Sequence, residues 1–108
     1  MATFEDFEKL EMRVGKIIDV KDFPEAKKPT YKLRIDFGEL GIKNSSAQIT
    51  KLYSKEDLLG KQIIAVTNFP PKKIAGFVSD VLVLGVITKD NVVLLKPERE
   101  VELGNKIT

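Results

Sequence analysis

An all-β domain with short helices, its strands closed into a five-stranded Greek-key barrel, is the architecture this sequence predicts, and three observations predict it. Tyr31, Leu33, Ile35 and Phe37 alternate strictly with Lys32, Arg34 and Asp36, the two-residue period of a strand with one face in a core. Three strand-like stretches come before a short helical one and two follow it, the chain order of a barrel with a helix between its third and fourth strands. The 108 residues supply one modest core and leave little room for a second, so the whole chain, 1–108, reads as a single domain. Another small barrel or a sandwich would draw on the same strands.

The first eleven residues form a helical extension. Thr3-Phe4-Glu5-Asp6 has the form of a capping box, and Phe4, Phe7 and Leu10 follow at helical spacing. The barrel is expected over residues 12–87. Met12 to Phe23 sets Val14, Ile17, Ile18 and Val20 among Arg13, Lys16, Asp19 and Lys21, a long strand bent or bulged near Gly15. Phe23 to Thr30, with two prolines, is a loop, and Tyr31 to Phe37 is the second strand. Gly38 to Gly41 turns the chain into a short third strand of small and polar residues, Ser45 to Thr50. Ser54-Lys55-Glu56-Asp57 is a second capping box, opening one or two helical turns through Leu58 and Leu59 that stop at Gly60. Gln62 to Phe69 is a buried fourth strand, Asn68 to Phe77 a loop, and Val78 to Ile87 the fifth strand. Residues 88–108 form a C-terminal extension: a turn at Asp90-Asn91, a short strand from Val92 to Leu95, a break at Lys96-Pro97, and a weakly alternating tail with an edge strand expected through Val101 to Ile107.

Composition excludes whole classes of chemistry. The chain has no Cys and no His, hence no disulfide, thiol nucleophile, imidazole base or Cys/His zinc site. Its carboxylates are scattered among lysines as on a solvated surface, and Gly60-Lys61 lacks the partners of a phosphate-binding loop. The expectation is therefore a binding protein, not an enzyme, with no cofactor and no metal. The longest apolar run, Val81 to Ile87, falls far short of the about 20 residues that span a bilayer, and the acidic start does not resemble a secretory signal, so no membrane insertion and a cytoplasmic location are expected.

The formal net charge is only +2, yet it is unevenly spread. Glu5, Asp6, Glu8 and Glu11 face Lys9 alone in the first eleven residues, whereas Gly41 to Phe77 carries Lys43, Lys51, Lys55, Lys61, Lys72 and Lys73 against Glu56 and Asp57. Segregation of this kind can steer a polyanion. The strand order is that of an OB-fold, whose binding surface lies on strands two and three and on the loops joining strands one to two and four to five. Each of those loops presents a lysine pair beside proline: Lys27 and Lys28 in the first, Lys72 and Lys73 in the second. Proline stiffens the loops and lowers the entropy lost on contact. The strand face offers Tyr31, Asn44, Ser45, Ser46 and Gln48, hydrogen-bonding groups rather than the aromatic platforms of single-strand binders, which favours a folded RNA. A competing use of the second loop is an apolar groove for an extended peptide, formed by Phe69, Pro71, Ile74 and Phe77, with Gly76 permitting the turn.

Four stretches carry a resemblance: "FEKLEMRVGKI", "SSAQITKLY", "NFPPKKIAGF" and "SDVLVLG". In this order they resemble the CsaA-type secretion chaperones, stand-alone members of the tRNA-binding-domain family. The resemblance implies an OB-fold, a homodimer, tRNA as a partner and chaperone-like binding of unfolded or exported polypeptide. By position it implies a binding surface of Lys43, Asn44, Ser45, Ser46, Gln48, Asn68, Lys72, Lys73, Gly76 and Ser79, and a dimer interface including Phe4, Phe7 and Leu10. The alternative is a dedicated tRNA-binding or synthetase-associated factor without a chaperone role. One departure stands out: where synthetase-appended members usually have Ser-x-Gly-Met, this chain reads Ser79-Asp80-Val81-Leu82, which places an acid at the expected RNA surface.

Overall fold

The computed structural model describes residues 1–108, in the order α1 (Phe4–Glu8), β1 (Met12–Asp22), β2 (Tyr31–Asp36), β3 (Ile42–Ala47), α2 (Lys55–Leu58), β4 (Gln62–Val66), β5 (Lys72–Ile74), β6 (Phe77–Ser79), β7 (Leu82–Val83), β8 (Gly85–Ile87) and β9 (Val92–Leu94). Both helices begin as their sequences dictate. Thr3 Oγ1 accepts the Asp6 N–H and Asp6 Oδ2 accepts the Thr3 N–H; Ser54 and Asp57 repeat the exchange in α2. The N–H and hydroxyl hydrogen bonds of Ser54 hold the Asp57 carboxyl below its ordinary pKa.

Five strands form one antiparallel sheet in the order β3-β2-β1-β4-β7. β1 is long enough to serve two partners, giving Met12 to Lys16 to β4 and Lys16 to Asp22 to β2. The sheet curls until its outer edges meet. The N–H groups of Asp80 and Val81, just before β7, donate to the Asn44 carbonyl of β3 at 2.8 and 3.3 Å. The result is a nearly closed five-stranded barrel, the OB-type arrangement, with its core between the strands. Ile17, Leu33, Ile35, Phe37, Ile63 and, from α2, Leu58 are wholly buried there. Each such side chain contributes on the order of 1.5–3 kcal/mol by leaving water.

Several boundaries differ from expectation, each for a physical reason. The bulge in β1 falls between Ile17 and Asp19, not at Gly15. Gly15 is instead a packing position, since a Cβ there would lie 2.6 Å from both Ile35 Cγ2 and a ring carbon of Phe37. β3 starts at Ile42, three residues early, and stops at Ala47, because β2 runs out of partners at Tyr31. β4 ends at Val66, opposite the first residue of β1, instead of reaching Phe69. The expected fifth strand, Val78 to Ile87, is broken into parts of β6, β7 and β8. β8 and β9 make a separate hairpin around Thr88 to Asn91. The tail makes no strand: its one bridge pairs Lys106 with Arg13, supported by Gly104 and Asn105 backbone bonds to Val14.

Candidate functional site

The alternation of β2 sorts the site. Leu33 pairs with Val20 and Ser45 on the inner face, while Lys32 pairs with Lys21 and Ser46, and Arg34 with Asp19 and Asn44, on the outer one. The outer face of β1–β2–β3 is thus a polar shelf carrying Lys21, Lys32, Arg34, Asn44 and Ser46. Its acids are Asp19, 3.9 Å from Lys21 in an exposed and therefore weak ion pair, and Asp36, which follows Lys32 and Arg34 on the same face of β2.

The second loop supplies a wall. Expected to be irregular, it holds the β5–β6 ribbon, in which Lys72 pairs with Ser79, Lys73 with Val78 and Ile74 with Phe77. The connection is the two residues Ala75 and Gly76, at φ 45° and 84°, the positive values required at both centres of a type I′ turn. Side chains alternate across a ribbon, so Lys72, Ile74, Phe77 and Ser79 share one face and Lys73 and Val78 the other. The two lysines are exposed but point to opposite sides.

Three elements converge on Lys32. The ring of Phe77 meets that of Phe23, at the start of the first loop, edge to face with centroids 5.5 Å apart. The Lys32 Nζ lies over both, 4.6 Å from the Phe23 centroid and 5.3 Å from that of Phe77. The ammonium attracts both ring faces and so joins the two loops to the shelf. Lys32 and Phe23 were absent from the residues singled out by sequence. The strict alternation of β2 already marked Lys32 and Arg34 as outward-facing, whereas only the fold brings Phe23 to Phe77.

The remaining expected residues divide. Asn44 and Ser46 are half-buried on the shelf, Lys72 and Lys73 are exposed on the ribbon, Lys27 and Lys28 are exposed in the first loop, and exposed Gln48 follows β3. Ser45 is only 1% exposed, with its Oγ donating to the Val81 carbonyl at 3.0 Å, and Lys43 shares its inner-facing side at the strand's end. Ser79 Oγ accepts the Ser46 N–H at 3.3 Å, along the seam. Asn68, though exposed, has both amide atoms bonded to backbone, its Oδ1 accepting from Glu11 N–H and its Nδ2 donating to the Lys9 carbonyl at 2.9 and 2.7 Å. It ties the α1–β1 connection to the end of β4. Asp80, expected to confront phosphate, is half-buried, and its carboxylate accepts the Asn44 N–H at 2.9 Å. It clasps the barrel seam. Of the apolar set, Phe69 and Pro71 are exposed, Ile74 and Phe77 half-buried, and Gly76 occupies the turn. On α1, Phe4 remains 71% exposed, its ring stacked with Phe7, while Phe7 and Leu10 border a shallow cleft with Ile107.

No helix is long and apolar enough to cross a membrane. Residues 12–106 match the sequence family described as "Putative tRNA binding domain". Two solved structures superpose over the full length of this chain. The chaperone CsaA of Bacillus anthracis is 56% identical with a TM-score of 0.96, with 99% of that chain covered, and the CsaA chaperone of Picrophilus torridus is 59% identical with a TM-score of 0.95, covered completely. The methionine–tRNA ligase of Thermococcus onnurineus is 43% identical over 104 residues, which is 96% of this chain and 14% of the ligase. The chain therefore spans only a small part of that enzyme.

Proposed function

Because the chain belongs to the tRNA-binding-domain family, we propose that it is a non-enzymatic, cytoplasmic binding protein for structured RNA of the tRNA type that also takes unfolded or exported polypeptide. The observation that carries the RNA reading is the convergence on Lys32. It joins the shelf (Lys21, Lys32, Arg34, Asn44, Ser46) to the Phe77 face of the ribbon, which carries Lys72, and to the Phe23 end of the first loop; Lys73 lies on the other face of the ribbon, and Lys27 and Lys28 farther along the loop. Lysines neutralise phosphates and give affinity without reading sequence, and Asn44 and Ser46 add hydrogen bonds to the sugar-phosphate backbone. The aromatic rings at the centre pack on each other and under Lys32, which suits a backbone shape rather than unstacked bases. With Asp80 turned into the seam, its charge bonds the Asn44 N–H instead of standing free before a phosphate.

The test is titration of labelled bulk tRNA at several salt concentrations with wild type and a Lys72→Ala/Lys73→Ala variant. A steep log–log salt slope in wild type that becomes shallower by about two in the variant is expected if both faces of the ribbon meet RNA. Equal slopes would remove the ribbon lysines from the interface.

The polypeptide reading is supported by the two structural relatives described as chaperones and by the exposure of the apolar Phe69 and Pro71 ahead of the ribbon. It predicts suppression of aggregation of a denatured client that tolerates salt, because apolar contacts are not screened. Salt-sensitive tRNA binding without any such suppression would leave the narrower alternative, a tRNA-binding or synthetase-associated factor. A homodimer through Phe4, Phe7 and Leu10 belongs to the same proposal.

A further inference from the structure

The first loop has two ends with different surroundings. Its Phe23 end joins the Lys32 cluster, while Lys28 and Pro29 at the other end wall a separate open cleft of about 400 Å3. The opposite walls are the stretch from Gln48 to Leu52, after β3, and the turn between β8 and β9. Three lysines from three distant segments, Lys28, Lys51 and Lys89, surround this cleft with Asp90 as its acid. All three are exposed, and none takes part in the ion pairs of the chain, which join Lys9 to Asp6, Arg13 to Glu11, Lys21 to Asp19, Lys55 to Asp22 and Arg99 to Glu98. Three like charges gathered around a concavity that holds one opposing carboxylate leave a net positive potential there.

The neutral lining is equally suggestive. Gln48 and Thr50 contribute polar side chains. Lys89 is carried on an ordered turn, in which Thr88 Oγ1 donates to the Asn91 carbonyl at 2.8 Å and accepts the Asn91 N–H at 3.0 Å. An ordered turn loses less freedom on binding than a mobile one.

We propose that this cleft is a second phosphate-binding station, in which Lys28, Lys51 and Lys89 neutralise backbone phosphates of the same RNA that occupies the shelf, with Gln48 and Thr50 as hydrogen-bonding groups. The inference rests on the RNA-binding reading above and extends its footprint around both sides of the first loop to residues, Lys51 and Lys89, outside the expected strand face and loops. Charge chooses the ligand: a polyanion matches three unpaired ammonium groups, whereas an apolar client segment would leave them desolvated without partners.

The decisive experiment is a tRNA titration across salt concentrations with the Lys51→Ala/Lys89→Ala variant. Wild type and a Lys96→Ala/Arg99→Ala control, which removes exposed cations elsewhere, are run beside it. The cleft assignment predicts a slope shallower by about two in the cleft variant and unchanged in the control. If wild type binds with a steep slope and the cleft variant matches it, or if the control falls equally, the assignment is overturned while the shelf reading stands. If wild type shows no salt-sensitive tRNA binding, the shelf reading itself fails and the cleft fails with it. Loss of polyglutamate binding in the variant with its tRNA slope intact would make the cleft an acidic-peptide site and overturn the RNA assignment. Circular dichroism of each variant confirms that the fold is kept.

Discussion

Lys32 does two things that a neutral side chain cannot. Its ammonium lies over two aromatic faces, a contact of about 0.5–2 kcal/mol depending on solvation, and it presents charge at the centre of the shelf. Replacing it with alanine removes both, whereas arginine keeps the charge and stacks on aromatic rings. We therefore expect Lys32→Ala to make the tRNA salt slope shallower by about one and to accelerate amide exchange in β5–β6, with Lys32→Arg restoring both. A slope change without faster exchange would confine Lys32 to phosphate contact and leave the loops held by the Phe23–Phe77 contact alone. Residues that look alike in sequence separate at this level. Ser45 and Ser46 are adjacent, yet strand alternation sends one to the core face and the other to the shelf. The register of β3, which decides between them, follows from its pairing with β2, and the Ser-Ser-Ala-Gln stretch has no apolar alternation of its own to set it.

Among the elements, the β5–β6 ribbon is the one whose local chemistry is least settled by its sequence. Its turn asks for positive φ at two positions, and the first is filled by Ala75, a residue that pays roughly 1 kcal/mol to adopt the left-handed conformation. Asn-Gly is the sequence this turn type prefers. Ala75→Asn should therefore slow amide exchange across Lys72 to Ser79 while leaving tRNA affinity unchanged or slightly raised; faster exchange would mean that the turn is not of this type. The same element explains what the sequence concealed. Pro70-Pro71 reads as a loop signal and Ala-Gly is a weak hairpin signal, so a ribbon of three residues per strand gave no pattern long enough to detect. The elements that were legible had either a strict period, as in β2, or a self-contained hydrogen-bond exchange, as in the two capping boxes. Gly15 marks the opposite case. A glycine within a strand is a natural place to expect a bulge, but its actual reason, the approach of Ile35 and the Phe37 ring, lies on β2 and just beyond it and exists only once the sheet is formed.

For the molecule as a whole, α1 bears on how many copies act together. An amphipathic helix normally spends its apolar stripe on a core, yet α1 has no buried residue, and Phe4 keeps 71% of its surface in water. The stripe borders a cleft with Ile107 from the tail, so both chain ends contribute to one apolar area. A second copy applied there would cover Phe4 and place two shelves on one particle. Two linked sites bind one long RNA more tightly than either alone, because the second engagement is intramolecular. The homodimer reading thus makes a joint prediction. Phe4→Ser/Phe7→Ser should shift the protein from dimer to monomer in sedimentation equilibrium, and tRNA affinity should fall by an order of magnitude or more although no RNA-facing residue has changed. Each half of that outcome has its own meaning. A monomeric wild type would return α1 to the role of an exposed cap on its own barrel. A dimer that dissociates without loss of affinity would place the two shelves too far apart, or in the wrong orientation, to engage one RNA together.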